Sequence, residues 1–239
     1  GDSWVSDPTL HDGRLYLRSN GGPSSFFCLN ASSGEVVWSR TILENSTTGY
    51  VMSPYSYPVQ SPLVVNGRVY AVIARYLNGD YSHSTITCFD GMSGETLWER
   101  YMEYCQEKAQ IAFSGDKLFL VGGPTYESRV FCVDAETGDL VWIFDDSCGG
   151  FNTSVALDGD RLYAGDCYGV MWCIDANTGT ALWNQSIGPY AITTCPAIGY
   201  GKVFAGFGNQ GSADPGIVAF DKGNGNILWS YLTDARPLT

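Results

Sequence analysis

The sequence predicts an all-β chain of repeated four-stranded antiparallel sheets, and two recurring units carry that prediction. The first is Cys132-Val133-Asp134-Ala135-Glu136-Thr137-Gly138-Asp139-Leu140-Val141-Trp142. Four further copies run from Cys28 through Asn30 and Gly34 to Trp38, from Cys88 through Asp90 and Gly94 to Trp98, from Cys173 through Asp175 and Gly179 to Trp183, and from Ala219 through Asp221 and Gly225 to Trp229. The second unit lies upstream of each copy, as a short run, a polar or Gly-containing turn and an apolar pair: Pro8 to Tyr16, Pro62 to Tyr70, Ile111 to Phe119, Val155 to Tyr163 and Pro196 to Phe204. Self-similarity at roughly 40 to 60 residues marks a propeller or solenoid array.

Each part of the repeat has a local physical reason. Asp134 can bond its side chain to backbone N–H groups two residues on, Thr137 can assist, and Gly138 tolerates a positive φ, so the segment suits a tight reversal between two apolar runs. Such a reversal reads as a β-hairpin. After it, Leu140 and Trp142 alternate with Val141, which suits a strand with two covered faces. Together with the upstream hairpin each repeat supplies four short strands, A to D, placed in the second repeat near Pro62–Val65, Val69–Ile73, Ile86–Asp90 and Glu95–Arg100. Four antiparallel strands per repeat of this length make a propeller blade.

The tryptophans are the expected docking pegs. One buried Trp removes about 150 to 250 Å² from water, and a lone twisted sheet cannot cover such a ring. Trp38, Trp98, Trp142, Trp183 and Trp229 are therefore expected to seat on a neighbouring blade. Trp142→Ala is expected to cost roughly 3 to 5 kcal/mol.

These residues carry a resemblance. Asp-Ala-x-Thr-Gly-x-x-x-Trp, intact from Asp134 to Trp142 and from Asp175 to Trp183, resembles the repeat of the pyrroloquinoline-quinone-like β-propeller family, in which the Trp belongs to a blade-docking motif. The likeness covers nearly the whole chain. It implies the fold far more specifically than the function, because the family holds quinoprotein dehydrogenases, non-enzymatic outer-membrane assembly factors and sensor ectodomains.

At 239 residues, 44% hydrophobic and 14% aromatic, the chain is expected to form one domain over residues 1–239, with repeats near 6–40, 60–100, 109–144, 153–185 and 194–231. Five units with no leftover strand fit a five-bladed ring, whereas the resemblance implies about seven or eight blades and a longer chain. No run reaches the length of a membrane-spanning helix, and no charged-then-apolar leader opens the sequence at Gly1. A net charge of −12 opposes nucleic acid and anionic membranes as partners and favours solubility.

Eight cysteines and four Asn-x-Ser/Thr sequons, at Asn30, Asn45, Asn152 and Asn184, point to an extracellular or cell-surface protein. Cys28, Cys88, Cys132 and Cys173 share one repeat position with Ala219, so a cysteine packed like alanine is expected there. Cys105, Cys148, Cys167 and Cys195 all fall on the face of the D-to-A and B-to-C connections and are candidate disulfide partners, in a connectivity left open. That face also carries the variation. Thr41 to Gln60 inserts Tyr50, Tyr55 and Tyr57 beside Asn45, and long B-to-C connections are expected at Arg75–Ser84 and Gly206–Gly216. Recognition usually sits on such loops, and Asn45, Asn152 and Asn184 would place glycans there, with Asn30 at the opposite end.

Chemical signals are sparse. The resemblance implies, for a dehydrogenase, a vicinal disulfide, a calcium site with an Asp base and an aromatic floor under the quinone, and the sequence has no adjacent cysteines. Asp158-Gly159-Asp160 and Asp145-Asp146 read as turns or surface acids before calcium ligands. Trp172 and Tyr168 read as strand aromatics before a stacking platform. His11 and His83 lack a ligand cluster, and no nucleophile-elbow motif occurs. The favoured reading is a non-catalytic interaction or structural propeller without cofactor, metal or catalytic residue. Its partner would be a protein or glycan at the loop face, or further copies of the chain. A fragment of a quinone-dependent dehydrogenase and a sugar-binding propeller are the alternatives.

Overall fold

The computed structural model describes residues 5–19, 25–41, 61–77, 80–103, 110–122, 129–145, 150–151, 153–208 and 215–233, with the backbone alone at 74–77, 80–83 and 103. Among them every regular element is a strand. The first sheet holds β1 (Thr9–His11), β2 (Arg14–Ser19), β3 (Ser25–Asn30) and β4 (Val36–Thr41). The second holds β5 (Leu63–Val65), β6 (Arg68–Leu77), β7 (Asp80–Asp90) and β8 (Thr96–Glu103), and the third β9 (Ala112–Ser114), β10 (Lys117–Gly122), β11 (Arg129–Asp134) and β12 (Leu140–Phe144). The fourth is β13 (Ala156–Asp158), β14 (Arg161–Gly165), β15 (Val170–Asp175) and β16 (Ala181–Ser186). The fifth adds β17 (Ala191–Ile192) to β18 (Ala197–Gly199), β19 (Lys202–Gly208), β20 (Gly216–Asp221) and β21 (Ile227–Leu232).

The first four sheets are antiparallel meanders in chain order, the geometry of a propeller blade, and in the fifth both β17 and β18 pair with β19 ahead of β20 and β21. Backbone contacts gather the chain into two compact units. One is Gly1–Ile111 with Ala135–Asp139, and the other is Ala112–Asp134 with Leu140–Thr239.

Burial follows strand position. The central strands β10, β11 and β14 are almost wholly buried. In the first unit Tyr16, Phe26, Cys28 and Trp38 pack with Val69, Ala71, Ile73 and Phe89. In the second, Tyr163, Met171 and Cys173 pack with Ile192, Val203, Val218 and Phe220.

The structure corrects three sequence expectations. Strand D is not covered on two faces: Leu140, Val141 and Ile143 are exposed, because β12 pairs with β11 alone and forms the sheet edge. Arg75–Ser84 is not a long connection. The β6–β7 ladder runs on through Arg75↔His83 to Leu77↔Asp80, and the intervening sequence Asn78-Gly79 is a hairpin signal. The fifth sheet also has an unforeseen strand, β17, whose Ala191 and Ile192 pair with Gly208 and Phe207.

Candidate functional site

The C-to-D turns are built alike. Asp90 Oδ1 accepts from the N–H of Met92 at 3.0 Å and of Ser93 at 2.7 Å, and Asp175 Oδ1 accepts from those of Asn177 and Thr178. Asn30 and Asp221 do the same in their turns. The backbone N–H donors, Ser93's and Thr178's foremost, hold the Asp90 and Asp175 carboxyls below their ordinary range. The turn glycines all take positive φ, from +70° at Gly94 to +79° at Gly225.

On four of these turns sits the Trp of the preceding repeat. Trp38 Nε1 donates to Gly91 O at 3.0 Å, Trp98 to Ala135 O at 3.2 Å, Trp142 to Ala176 O at 3.1 Å and Trp183 to Lys222 O at 3.2 Å. Each acceptor is the residue after the turn's Asp. A Cβ added to Gly94, Gly138 or Gly179 would stand 2.6 Å from the docked indole, and one on Gly225 2.5 Å, so glycine is required there by space as well as by φ.

Two residues that sequence reasoning missed converge on the same carbonyls. Arg14 Nη1 and Tyr16 Oη donate to Gly91 O at 3.2 and 3.1 Å. Arg68 and Tyr70 reach Ala135 O at 3.3 and 3.1 Å, and Arg161 and Tyr163 reach Lys222 O at 3.1 and 3.5 Å. Arg68 adds an ion pair to Glu136 at 2.8 Å. Where Lys117 replaces the Arg, Phe119 replaces the Tyr and only packs on Trp142, with ring centroids 5.8 Å apart. Because that repeat docks without the phenol, Tyr16→Phe is expected to cost only about 0.5 to 1.5 kcal/mol, read from a denaturation midpoint. A loss as large as that of a core truncation would give the hydroxyl a larger share than this geometry does.

Cysteine's repeat position also has a reason. Cys28, Cys88, Cys132, Cys173 and Ala219 lie directly opposite Trp38, Trp98, Trp142, Trp183 and Trp229, and each sheet has a β-bulge at that step. A small side chain fits across from the indole. All four thiols are fully buried, and burial pushes Cys88 up to about 11 and Cys132 to about 12. They are protonated and weakly nucleophilic at neutral pH.

Because these folded-state values lie above the unfolded thiol's value of 9.0, the contribution of these thiols to stability is undiminished below about pH 9. It falls as the unfolded chain alone ionises, up to about pH 11 to 12. Tyr70 and Tyr163, raised by burial from 10.0 to about 12, add to the same alkaline loss. Urea midpoints are expected to drop above about pH 9 and to drop less in Cys132→Ala; a flat profile would refute this account.

The loop face shows one buried carboxylate that the sequence reading passed over. Asp166 is fully buried at the end of β14. Its Oδ1 accepts from the N–H of Tyr168 and Val170, and its Oδ2 from Trp172 Nε1 at 3.1 Å. Trp172 packs edge-on against Phe144 at 5.3 Å, while Tyr168 is exposed. The readable signal was Asp166-Cys167-Tyr168-Gly169, an Asx-turn sequence.

Of the candidate disulfide residues, Cys105 and Cys148 lie outside the described residues. Cys195 carries its thiol 3.9 Å from Val155 O. Asn45, Asn152, Tyr50, Tyr55 and Tyr57 also lie outside them. Asn184 stands exposed on the edge strand β16 rather than in a connection. Asp158 pairs with Lys222.

The comparisons agree with this architecture. The family model described as outer membrane protein assembly factor BamB matches residues 2–123, 82–146 and 126–239. The chain is 36% identical over 121 residues to the quinohemoprotein alcohol dehydrogenase ADH IIB of Pseudomonas putida, covering 44% of this chain and 18% of that one. It is 26% identical over 170 residues to the outer membrane protein assembly factor BamB of Salmonella typhimurium, covering 71% and 40%. Among solved structures, BamB from Moraxella catarrhalis superposes with a TM-score of 0.67 at 18% identity, over 95% of this chain and 63% of that one. The chain thus spans less than half the length of the two sequence relatives. With the repeats, the docked tryptophans and a family match along almost its entire length, the chain belongs to the pyrroloquinoline-quinone-type β-propeller repeat family that is described by BamB.

Proposed function

We propose that this propeller is a non-catalytic interaction or structural scaffold acting outside the cytoplasm, with its partner protein at the face of the D-to-A and B-to-C connections. The observation that carries the reading is where the repeat's chemistry-bearing side chains go. The turn acids bind backbone N–H groups, the Arg, Tyr and Trp donors converge on turn carbonyls, and the repeated thiols are buried opposite indoles. Breadth of likeness supports it: the match to the assembly factor of Escherichia coli covers 83% of this chain, against 44% for the dehydrogenase ADH IIB.

The dehydrogenase relatives give a second reading, a quinone-binding enzyme fragment, favoured by the 36% identity over 121 residues. An absorbance titration with pyrroloquinoline quinone and calcium separates the two. No saturable change is expected, and tight saturable binding would transfer the assignment to the dehydrogenase class. A photo-cross-linker placed at exposed Tyr168 is expected to trap discrete protein adducts on cells that export the chain, where one placed at Leu182 on β16 does not. Equal trapping at both positions would remove the loop face as the partner site.

A further inference from the structure

Two of the Asn-x-Ser/Thr sequons, at Asn30 and Asn184, lie among the described residues, and their amides are used differently. Asn30 holds a turn: its Oδ1 accepts from the N–H of Ser32 and of Ser33, and from the Ser32 hydroxyl at 2.6 Å. Asn184 has no such duty. It is exposed, and among the described residues no hydrogen bond engages its side chain.

The strand around Asn184 presents the sequon outward. β16 pairs with β15 alone, through Trp172↔Asn184 and Cys173↔Trp183. Side chains alternate along it: Trp183 and Gln185 are half-buried, whereas Leu182, Asn184 and Ser186 are exposed. Asn184 and Ser186 therefore share one exposed face, about 6 to 7 Å apart along the strand, so the amide and the hydroxyl of the sequon stand side by side. The Ser186 hydroxyl accepts from the N–H of Gly188 at 3.2 Å and keeps its own proton to donate. Trp183, on the alternate face, docks on Lys222 O, so a substituent on Asn184 displaces neither a hydrogen bond nor the docked indole.

We infer that Asn184 carries an N-linked oligosaccharide, an inference that rests on the reading of this chain as one acting outside the cytoplasm. In the transfer Asn184 Nδ2 bonds the anomeric carbon of a phosphate-activated sugar supplied by the exporting cell. The bond from that carbon to the phosphate oxygen breaks, the phosphate-bearing group leaves with the electron pair, and one amide proton is released. The attached chain is bulky and hydrated. It bars a close-fitting protein from the exposed face of β16, where Leu182 is 46% exposed, and so directs a protein partner to the connections.

Peptide mass mapping of the chain recovered from cells that carry it, and of three variants made in the same cells, provides the test. The wild-type peptide holding residue 184 is expected to gain the mass of whole monosaccharide residues, with fragmentation placing them on Asn184. Asn184→Gln and Ser186→Ala are each expected to lose the added mass completely, and Ser186→Thr, which keeps a hydroxyl two residues on, to retain it. Residue 186 is exposed, so a difference between its two variants reports the sequon and not the fold. A bare peptide from exported chain overturns the inference and leaves the scaffold reading standing. Added mass that survives Ser186→Ala, or is lost in Ser186→Thr, also overturns it. Recovery of the chain from the cytoplasm alone overturns both readings.

Discussion

Trp38→Ala is expected to lower the unfolding free energy by about 3 to 5 kcal/mol. At about 2 to 4 °C per kcal/mol this is a fall of roughly 6 to 20 °C in Tm. Trp38 has the best seat of the docked tryptophans described: 8% exposed, in ring contact with Tyr16, packed on Gly94 and bonded to Gly91 O. Truncation removes apolar contact and takes a donor from a buried carbonyl at once. Arg14 and Tyr16 still reach that carbonyl, so the loss is mainly one of packing. Trp142, which keeps more contact with solvent, is expected to lose less than Trp38. A thermal melt followed by near-ultraviolet circular dichroism decides the matter, and an unmoved midpoint for Trp38→Ala would end the docking account.

The second large effect concerns the turn glycines. Gly94→Ala meets two penalties. A left-handed backbone at φ +70° costs a non-glycine residue about 1 to 2 kcal/mol. The new methyl would also lie 2.6 Å from Cδ2 of Trp38, an overpacking strain of about 1 to 3 kcal/mol. The sum is about 2 to 5 kcal/mol. Gly34→Ala is the internal control, since it has the same backbone at φ +75° and nothing within 4 Å of its Cβ. It should cost only the conformational part. Equal losses in the two variants, measured by urea denaturation, would show that the indole gives way freely and that the turn does not hold it.

Much of this molecule was readable from residues alone, for reasons that are local. The Asx turns follow from an acid, a hydroxyl and a glycine at fixed offsets, and the hairpins from apolar runs on either side of them. The clamp was also present in the text and went unread: Arg14, Arg68 and Arg161 each precede a Tyr by two residues, while Lys117 and Lys202 precede a Phe. That pairing records which side chains share one carbonyl. Asp166 was hidden differently, because a single Asp in a turn carries no sign of whether its carboxylate faces solvent or an indole N–H.

By itself the sequence determined the repeat, its four strands and its turn chemistry, since each depends on residues within a few positions of one another. Only the tertiary structure decided that β12 is an edge with exposed apolar groups, that cysteine and alanine share a position because both fit opposite an indole, and that Asp166 is buried. It also decided which tryptophans are seated and which is not. The reason is physical: whether a Trp is a filled or an open peg depends on what stands across from it, and the partner turn lies about one repeat away along the chain. Trp229 holds the repeat position of the seated tryptophans, yet it is 45% exposed.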